Sequence, residues 1–188
     1  MKKMLPLLVF ACCASRIASG QATFPALLAD GPAAPYQEKL MLFGQFVGDW
    51  DFQGVEYHTG GSRVTDKGEI EFAWVLQGRA VQDVWIERER SDGQTKTYGT
   101  TIRFYDPKID AWRTNWIDPA VGSVQALIGR KVGDEIVLEG KEPDGAAIRW
   151  IFSAIKPNSF HWRSERFIDK SWRVTEECSV QRVKAVPR

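Results

Sequence analysis

The sequence of residues 147–167 is AIRWIFSAIKPNSFHWRSERF, and this stretch decides the fold. Large apolar side chains stand at every second position, at Ile148, Trp150, Phe152, Phe160 and Trp162. Pro157-Asn158 lies between the two runs, and such a dipeptide is typical of a tight turn. Because side chains alternate between the two faces of a strand, the stretch predicts two antiparallel strands that share one apolar face.

The same two-residue period continues on both sides of this hairpin. The predicted core-face positions are Trp50 and Phe52; Ile70, Phe72, Trp74 and Leu76; Tyr98, Thr100, Ile102 and Phe104; Trp112, Thr114 and Trp116; Val124, Ala126 and Ile128; Ile136 and Leu138; and Trp172, Val174, Cys178 and Val180. Turn-type dipeptides separate the runs, among them Gly60-Gly61, Asp92-Gly93, Asp106-Pro107, Gly133-Asp134 and Asp144-Gly145. We therefore predict an all-β fold, an up-and-down antiparallel meander of about ten strands that closes into a barrel and so hides its edges.

One short helix is predicted before the barrel. Apolar residues at helical spacings lie within residues 36–47, at Leu40, Phe43, Phe46 and Val47. Gly48 follows, and glycine suits the position after a helix C-terminus. Residues 21–35 are rich in Ala and Pro and predict a linker. The predicted organisation is a leader over residues 1–20, this linker, and one barrel domain over residues 36–185.

Residues 1–20 show the succession of basic, apolar and small residues that is typical of a secretory signal peptide. Lys2 and Lys3 are followed by an apolar run and then by the small residues of 18–20, which predict cleavage near Gly20. The run is too short to remain as a membrane span. The sequence therefore predicts export, to the periplasm or outside the cell. A second interpretation is lipidation at Cys12, because residues 9–12 loosely resemble a lipobox.

Charge and cysteine content exclude several classes of function. The formal net charge of +1 becomes −2 without the leader, which carries three basic residues and no acid. A mildly acidic domain argues against a nucleic-acid partner, and no polybasic stretch indicates an anionic membrane surface. Cys178 alone remains, so an intramolecular disulfide and a CxxC site are excluded, and its place on an apolar face predicts a buried, inert thiol.

Several motifs resemble those of a known superfamily. Gly48-Asp49-Trp50 after a short helix is similar to the G-x-W opening of lipocalins and related calycin barrels, and Arg182 stands where calycins often place an Arg over that Trp. A bacterial family of lipocalin-like domains of unknown function is resembled by residues 105–107, Trp112, residues 116–118 and 162–166, Asp169 and Trp172. The resemblance implies a calycin barrel closed by Trp50 and Arg182. It brings no agreed catalytic residues, and a count near ten strands is closer to fatty-acid-binding or nitrobindin-like barrels.

No strong catalytic or cofactor motif is present, and two His residues alone do not make a zinc site. No cofactor follows from the sequence. His58 is predicted in an exposed turn. His161 shares a face with Arg163 and Glu165 that is predicted to be solvated. If that face pointed inward, His161 and Glu165 would be a base and its orienting group, or His161 a haem ligand.

The opposite faces predict a binding pocket. The large aromatic candidates for its wall are Tyr98, Trp116, Trp150 and Trp162. Charged residues fall on the same faces, at Asp118, Arg166 and Glu176. An inward charge is costly unless it is paired or contacts a ligand, so an Arg166–Glu176 ion pair or exposure at the rim stands as the alternative to a ligand site.

Three functions remain open at this point. The first is an exported module that binds a small hydrophobic or amphipathic molecule. The second is an isomerase, cyclase or hydratase in the same cavity, with Glu176, Asp118 or His161 moving a proton. The third is a structural or interaction domain whose barrel is filled by side chains. The sequence does not decide whether the protein is an enzyme, and it does not give the oligomeric state.

Overall fold

Ten strands joined by short connections form most of the domain in the computed structural model, which describes residues 27–183. The elements are α1 (Gln37–Gly44), β1 (Gly48–Tyr57), β2 (Arg63–Val75), β3 (Ala80–Arg90), β4 (Tyr98–Asp106), β5 (Ala111–Asp118), β6 (Ser123–Val132), β7 (Glu135–Lys141), β8 (Ala147–Lys156), β9 (Ser159–Ile168) and β10 (Ser171–Arg182). The predicted leader, its cleavage near Gly20 and the lipidation site at Cys12 lie outside the described residues.

The strands close into one antiparallel barrel. Each strand pairs with its neighbours in sequence, and β1 pairs with β10 to complete the ring. In that closing pair Trp50 is the partner of Arg182. The predicted fold class, a ten-stranded up-and-down barrel after one short helix, is confirmed. Within the described residues, none of the helices has the length and apolar character that a membrane crossing requires.

The helix closes one end of the barrel. It is shorter than predicted, but Phe43 and the following Phe46 are both buried, at 0% and 1% exposure. The ring of Phe46 lies 5.2 Å from that of Phe152 and 4.8 Å from that of Phe160, between centroids. Packed aromatic rings stabilise a fold by more than the area they bury, so these contacts hold the helix and the residues after it against the strands.

Arg182 joins the helix to the barrel. Its guanidinium lies 4.0 Å from the centroid of the Trp50 ring and donates hydrogen bonds to the carbonyls of Gln45 and Val47. Trp50 Nε1 donates to the Phe46 carbonyl at 2.6 Å. The carbonyls of the three residues that follow the helix are thus satisfied by two side chains of the closing strands.

Two whole strands and the first part of β10 have the opposite facing from the one predicted. In β4 the inward residues include Thr101 and Arg103, which are buried, whereas Tyr98 is 60% exposed. In β6 Leu127 is buried and Val124 is 67% exposed. The prediction placed the more apolar alternate positions inside, but in β4 and β6 the interior positions carry polar or small side chains because they face a cavity. In β10 a β-bulge between Val174 and Glu176 leaves Trp172 and Val174 on the outer face, where Val174 is 38% exposed.

Candidate functional site

The barrel encloses a cavity of about 660 Å³. Its wall includes residues of the β3–β4, β5–β6 and β7–β8 connections, such as Thr95, Val121 and Pro143. These connections lie at the end opposite α1, so the cavity is open at that end and closed at the helical end. Its volume lies within the range of small-molecule sites. The interior is therefore not filled by side chains.

Four tryptophans form a continuous band across the interior. The ring of Trp85 is 5.7 Å from that of Trp162, Trp162 is 5.9 Å from Trp150, and Trp150 is 6.4 Å from Trp116, between centroids. All four line the cavity. Trp85 and Trp162 belong to β3 and β9, which are not neighbours in the ring, so their contact bridges the lumen. The band gives a ligand several flat apolar faces.

A glycine makes room for one member of this band. Gly99 of β4 is buried beside Trp116 of β5, and a Cβ at Gly99 would lie 2.3 Å from the Trp116 ring. A side chain at this position would therefore displace the indole. The local sequence Tyr98-Gly99-Thr100 thus sets how Trp116 projects into the cavity.

A buried ion pair lies at the closed end of the cavity. Arg103 of β4 and Asp83 of β3 are each about 4% exposed and hydrogen-bonded to each other. Asp83 also accepts from the Thr101 amide at 3.2 Å. The Arg103 guanidinium lies 5.2 Å from the Phe43 ring centroid and 5.7 Å from that of Phe152. Both charges are compensated, although Arg103 Nε has no hydrogen-bond partner.

A cluster of carboxylates lies at the open end. It comprises Glu56 of β1, Asp66 of β2, Glu87 of β3 and Glu176 of β10, and we call it the acidic cluster. Arg90 pairs with Glu56 at 2.6 Å and with Glu87 at 3.4 Å. In the part of the chain that the structure describes, the Glu176 carboxylate has neither a hydrogen-bond nor an ion-pair partner, although it lines the cavity.

Burial changes the acidity of this cluster. It raises the pKa of Glu176 to about 8, and the carboxylates of Asp66, Glu56 and Glu87 add to the effect while Arg90 opposes it. Burial, and then the Glu87 carboxylate, raises the pKa of Asp66 to about 6. A carboxyl group whose pKa lies near neutrality can give up or take a proton at that pH.

Five of the seven predicted ligand residues line the cavity: Trp116, Asp118, Trp150, Trp162 and Glu176. Asp118 is also used locally, since its Oδ1 accepts from the Ala120 amide at 2.9 Å. That these residues bind a ligand stays a prediction.

The other two predicted residues, Tyr98 and Arg166, do not reach the cavity wall. Tyr98 points outward because β4 has the opposite facing. Arg166 lies at the rim and pairs with Glu142 at 3.2 Å and with Asp144. The Arg166–Glu176 ion pair considered above is therefore not formed.

Neither histidine is among the residues that line the cavity, although His58 Nε2 lies 3.7 Å from Oε1 of Glu56, which does line it. His58 is exposed beside the β1–β2 turn. His161 lies on the outer face of β9 and pairs with Glu177 at 3.2 Å. Glu165 is also on that face and accepts from Arg149 and Arg163. His161 and Glu165 are therefore not an inward catalytic pair, and His161 offers no haem ligand to the cavity.

Several cavity residues were not predicted from the sequence, namely Glu56, Asp66, Asp83, Trp85, Arg90 and Arg103. They lie on β1 to β4, where inward positions are often charged. One signal was available. Asp83, Trp85 and Glu87 recur at every second position, which is strand periodicity with two acids on one face.

The chain matches no protein-family model, and comparison with curated proteins finds no significant relative. Several solved structures resemble it, and two of them are the following. The S-type phycobiliprotein lyase CPES from Guillardia theta has a TM-score of 0.54 and 11% identity, over 78% of this chain and 93% of that one. Rv2717c from M. tuberculosis has a TM-score of 0.55 and 13% identity, over 78% and 98%. The likeness is one of fold. It supports the barrel fold and no shared activity.

Proposed function

We propose that this protein binds a small amphipathic molecule inside its barrel. The observation that carries the proposal is the open cavity of about 660 Å³, with a band of four tryptophans and a carboxylate, Glu176, that no protein group satisfies. Aromatic walls with a few placed polar groups are typical of small-molecule sites. An unpartnered inward carboxylate is costly without a ligand.

A filled barrel with a purely structural role fits this geometry less well. Side chains that only filled the interior would leave no volume of this size, and close packing is what stabilises a core. The large side chains of the closed end already form a packed core around Phe43, Phe46 and Trp50. The cavity at the other end adds nothing to that core and is explained by an occupant.

The test is a pair of neighbouring substitutions on β6. Ser123 lines the cavity, whereas the next residue, Val124, is 67% exposed on the outer wall. We expect Ser123→Trp to obstruct the cavity and Val124→Trp to leave it open. Native mass spectrometry of the purified protein identifies co-purified molecules, and fluorescence titration of the cavity tryptophans with amphipathic amines, acids and neutral analogues measures binding.

The proposal predicts binding to wild type and to Val124→Trp, with loss of at least about tenfold in affinity for Ser123→Trp. Equal affinities for the two variants would place the ligand outside the cavity. A wild-type protein that carries no molecule and binds none of the three classes would contradict the proposal.

Proton-transfer catalysis is a second candidate, and Glu176 is the observation that favours it. Its unpartnered carboxyl group lines a roomy cavity, and its pKa of about 8 suits a general acid or base near neutral pH. The test is exchange of solvent deuterium into a bound ligand. Catalysis predicts exchange that Glu176→Gln abolishes even at ligand concentrations that saturate the variant. If wild type binds a ligand but neither exchanges its protons nor changes it chemically, catalysis is contradicted and binding remains as the function.

Export is also part of the proposal, on the strength of the basic, apolar and small-residue order of residues 1–20. We expect the mature chain to begin near Gln21, which N-terminal sequencing of the exported protein measures. An intact Met1 would contradict export by this route, and a lipid on Cys12 would replace cleavage near Gly20 with lipoprotein processing.

A further inference from the structure

The cavity wall carries an excess of acidic groups. Six carboxylates and two guanidinium groups line it, and within residues 27–183 no Lys or His side chain does so. At the closed end Arg103 is neutralised by Asp83. At the open end Arg90 is shared between Glu56 and Glu87. Glu142 pairs with Arg166 at the rim. Asp66, Asp118 and Glu176 have no ion-pair partner among the described residues, so their ionised forms give the cavity a negative potential, which low-dielectric walls strengthen.

Glu176 is the least compensated of these carboxylates. Its partner across β1 and β10 is Glu56, and like charges directly opposite each other destabilise a sheet. Asp66 lies on the other side of β1, opposite Gly54, and its Oδ1 is buried without a hydrogen-bond partner. A Cβ at Gly54 would lie 2.1 Å from that oxygen, so the glycine makes room for the inward carboxylate.

Two indole rings lie on the strands beside Glu176. On β9, Ser164 is the partner of Glu176, and Trp162 is the partner of Cys178, two residues along β10. Ser164 is in turn the partner of Trp150 on β8. Small side chains at Ser164 and Thr175 leave space beside the Glu176 carboxylate in this part of the cavity. A cation placed there is attracted both by carboxylates and by indole faces.

We propose that the ligand of this cavity is an organic cation, an apolar body that carries a quaternary or protonated nitrogen. The nitrogen lies against Glu176 and Asp66, and the body packs on Trp150 and Trp162. This inference rests on the proposed function, binding of a small molecule in the same cavity, and names the chemical class of that molecule.

Binding of such a ligand is linked to pH through the groups that face Glu176. These are Glu56 on β1, Asp66 on β2, and Glu87 and Arg90 on β3, with Cys178 beside it on β10. Burial holds the pKa of the Cys178 thiol well above its ordinary value, so it stays neutral. Burial and the carboxylates raise the pKa of Glu176, so a bound cation displaces its proton, and affinity rises until Glu176 is ionised in the free protein.

The experiment compares three probes of one shape and different charge. They are (2-naphthylmethyl)trimethylammonium, its neutral carbon isostere 2-neopentylnaphthalene, and 2-naphthylmethanesulfonate. Equilibrium dialysis against the full-length mature protein at about pH 9, where Glu176 is mostly ionised, measures each affinity. We expect the cation to bind at least about tenfold more tightly than the isostere, and the sulfonate to bind least.

Adjacent residues of β10 provide a matched pair of variants. Glu176→Gln removes the inward charge and keeps the shape. Glu177→Gln removes a charge on the outer face, where Glu177 contacts Tyr57 and His161. We expect Glu176→Gln to weaken cation binding by about tenfold and to leave the isostere unchanged. Glu177→Gln should change neither. Asp66→Asn should act in the same direction as Glu176→Gln.

Calorimetry supplies the proton count. Titration of the cation near neutral pH, in two buffers of different ionisation enthalpy, should show release of up to about one proton by wild type and less by Glu176→Gln.

The outcomes separate this inference from the proposed function. If the cation and the isostere bind wild type equally, or the sulfonate binds most tightly, the cavity binds small molecules but the cation assignment is wrong. If Glu176→Gln and Glu177→Gln have equal effects, Glu176 does not contact the nitrogen. If none of the three probes binds, the cation assignment also fails. The proposed function is then still tested by the search for a co-purified molecule and by the comparison of Ser123→Trp with Val124→Trp.

Discussion

Inward charges are compensated at one end of this barrel and partly uncompensated at the other. At the closed end Arg103 and Asp83 are paired with each other, and Arg182 stacks on Trp50 and donates to backbone carbonyls. At the open end Glu176 has no partner among the described residues, and Asp66 Oδ1 is buried without a hydrogen bond. Since an uncompensated inward carboxylate costs stability, the open end has the composition of a binding site and the closed end that of a core.

Breaking the closed-end pair should have the largest effect. Arg103→Met leaves the Asp83 carboxylate buried without its partner, which should lower the free energy of unfolding by about 3–5 kcal/mol in urea. The double variant Arg103→Met with Asp83→Leu should recover much of this loss, because apolar replacement of a whole buried pair is often neutral. A single variant that costs less than about 1 kcal/mol would remove the contrast between the two ends.

Removing the Glu176 charge at the open end should raise the free energy of unfolding rather than lower it. The pKa of Glu176 is raised from its ordinary 4.5 to about 8 in the folded protein, so the native state holds an extra proton between these values. Wild-type stability should therefore fall as pH rises through this window and level off above it. Glu176→Gln should match wild type at low pH and be more stable by about 1–3 kcal/mol above the window. Parallel stability curves for the two proteins, measured in urea across this range, would show that Glu176 is compensated.

The smallest of these effects concerns the closing strands. Arg182→Ala removes the contact with the Trp50 ring and the hydrogen bonds to the helix end, which should lower unfolding stability by about 1–2 kcal/mol. The denaturant midpoint reports the change. Gln181→Ala, at the exposed neighbouring position, serves as the control. An unchanged midpoint for Arg182→Ala would mean that the β1–β10 pairing alone closes the barrel.

The fold could be predicted from the sequence more fully than the site. Alternation in β8 and β9 is strong because Phe152 and Phe160 face the packed core. In β3 and β4 the pattern is weak or inverted, because Asp83 and Arg103 face inward while Tyr98 and Phe104 face outward. Where charged residues line a cavity, polar side chains face inward and apolar ones face solvent. The two-residue period of these strands could therefore be predicted, but which face points inward could not.

The acidic cluster could not be predicted for a related reason. Its residues come from β1, β2, β3 and β10, and only closure of the barrel brings Glu56 and Glu176 opposite each other. Glu176 itself could be predicted, because it shares a face with Cys178 and Val180, although a β-bulge between Val174 and Glu176 interrupts the alternation earlier in β10. Its environment depended on residues more than 80 positions away, such as Glu87, whose contribution no local pattern contains.

A carboxyl-carbon NMR titration of Glu176 tests the central claim most directly, with Glu176→Gln used to assign the signal. We predict that Glu176 titrates near 8 in the free protein, and that (2-naphthylmethyl)trimethylammonium lowers its pKa while the neutral isostere does not. Titration near the ordinary value of 4.5, unaffected by the cation, would contradict the account, because Glu176 would then be neither uncompensated nor in contact with a ligand.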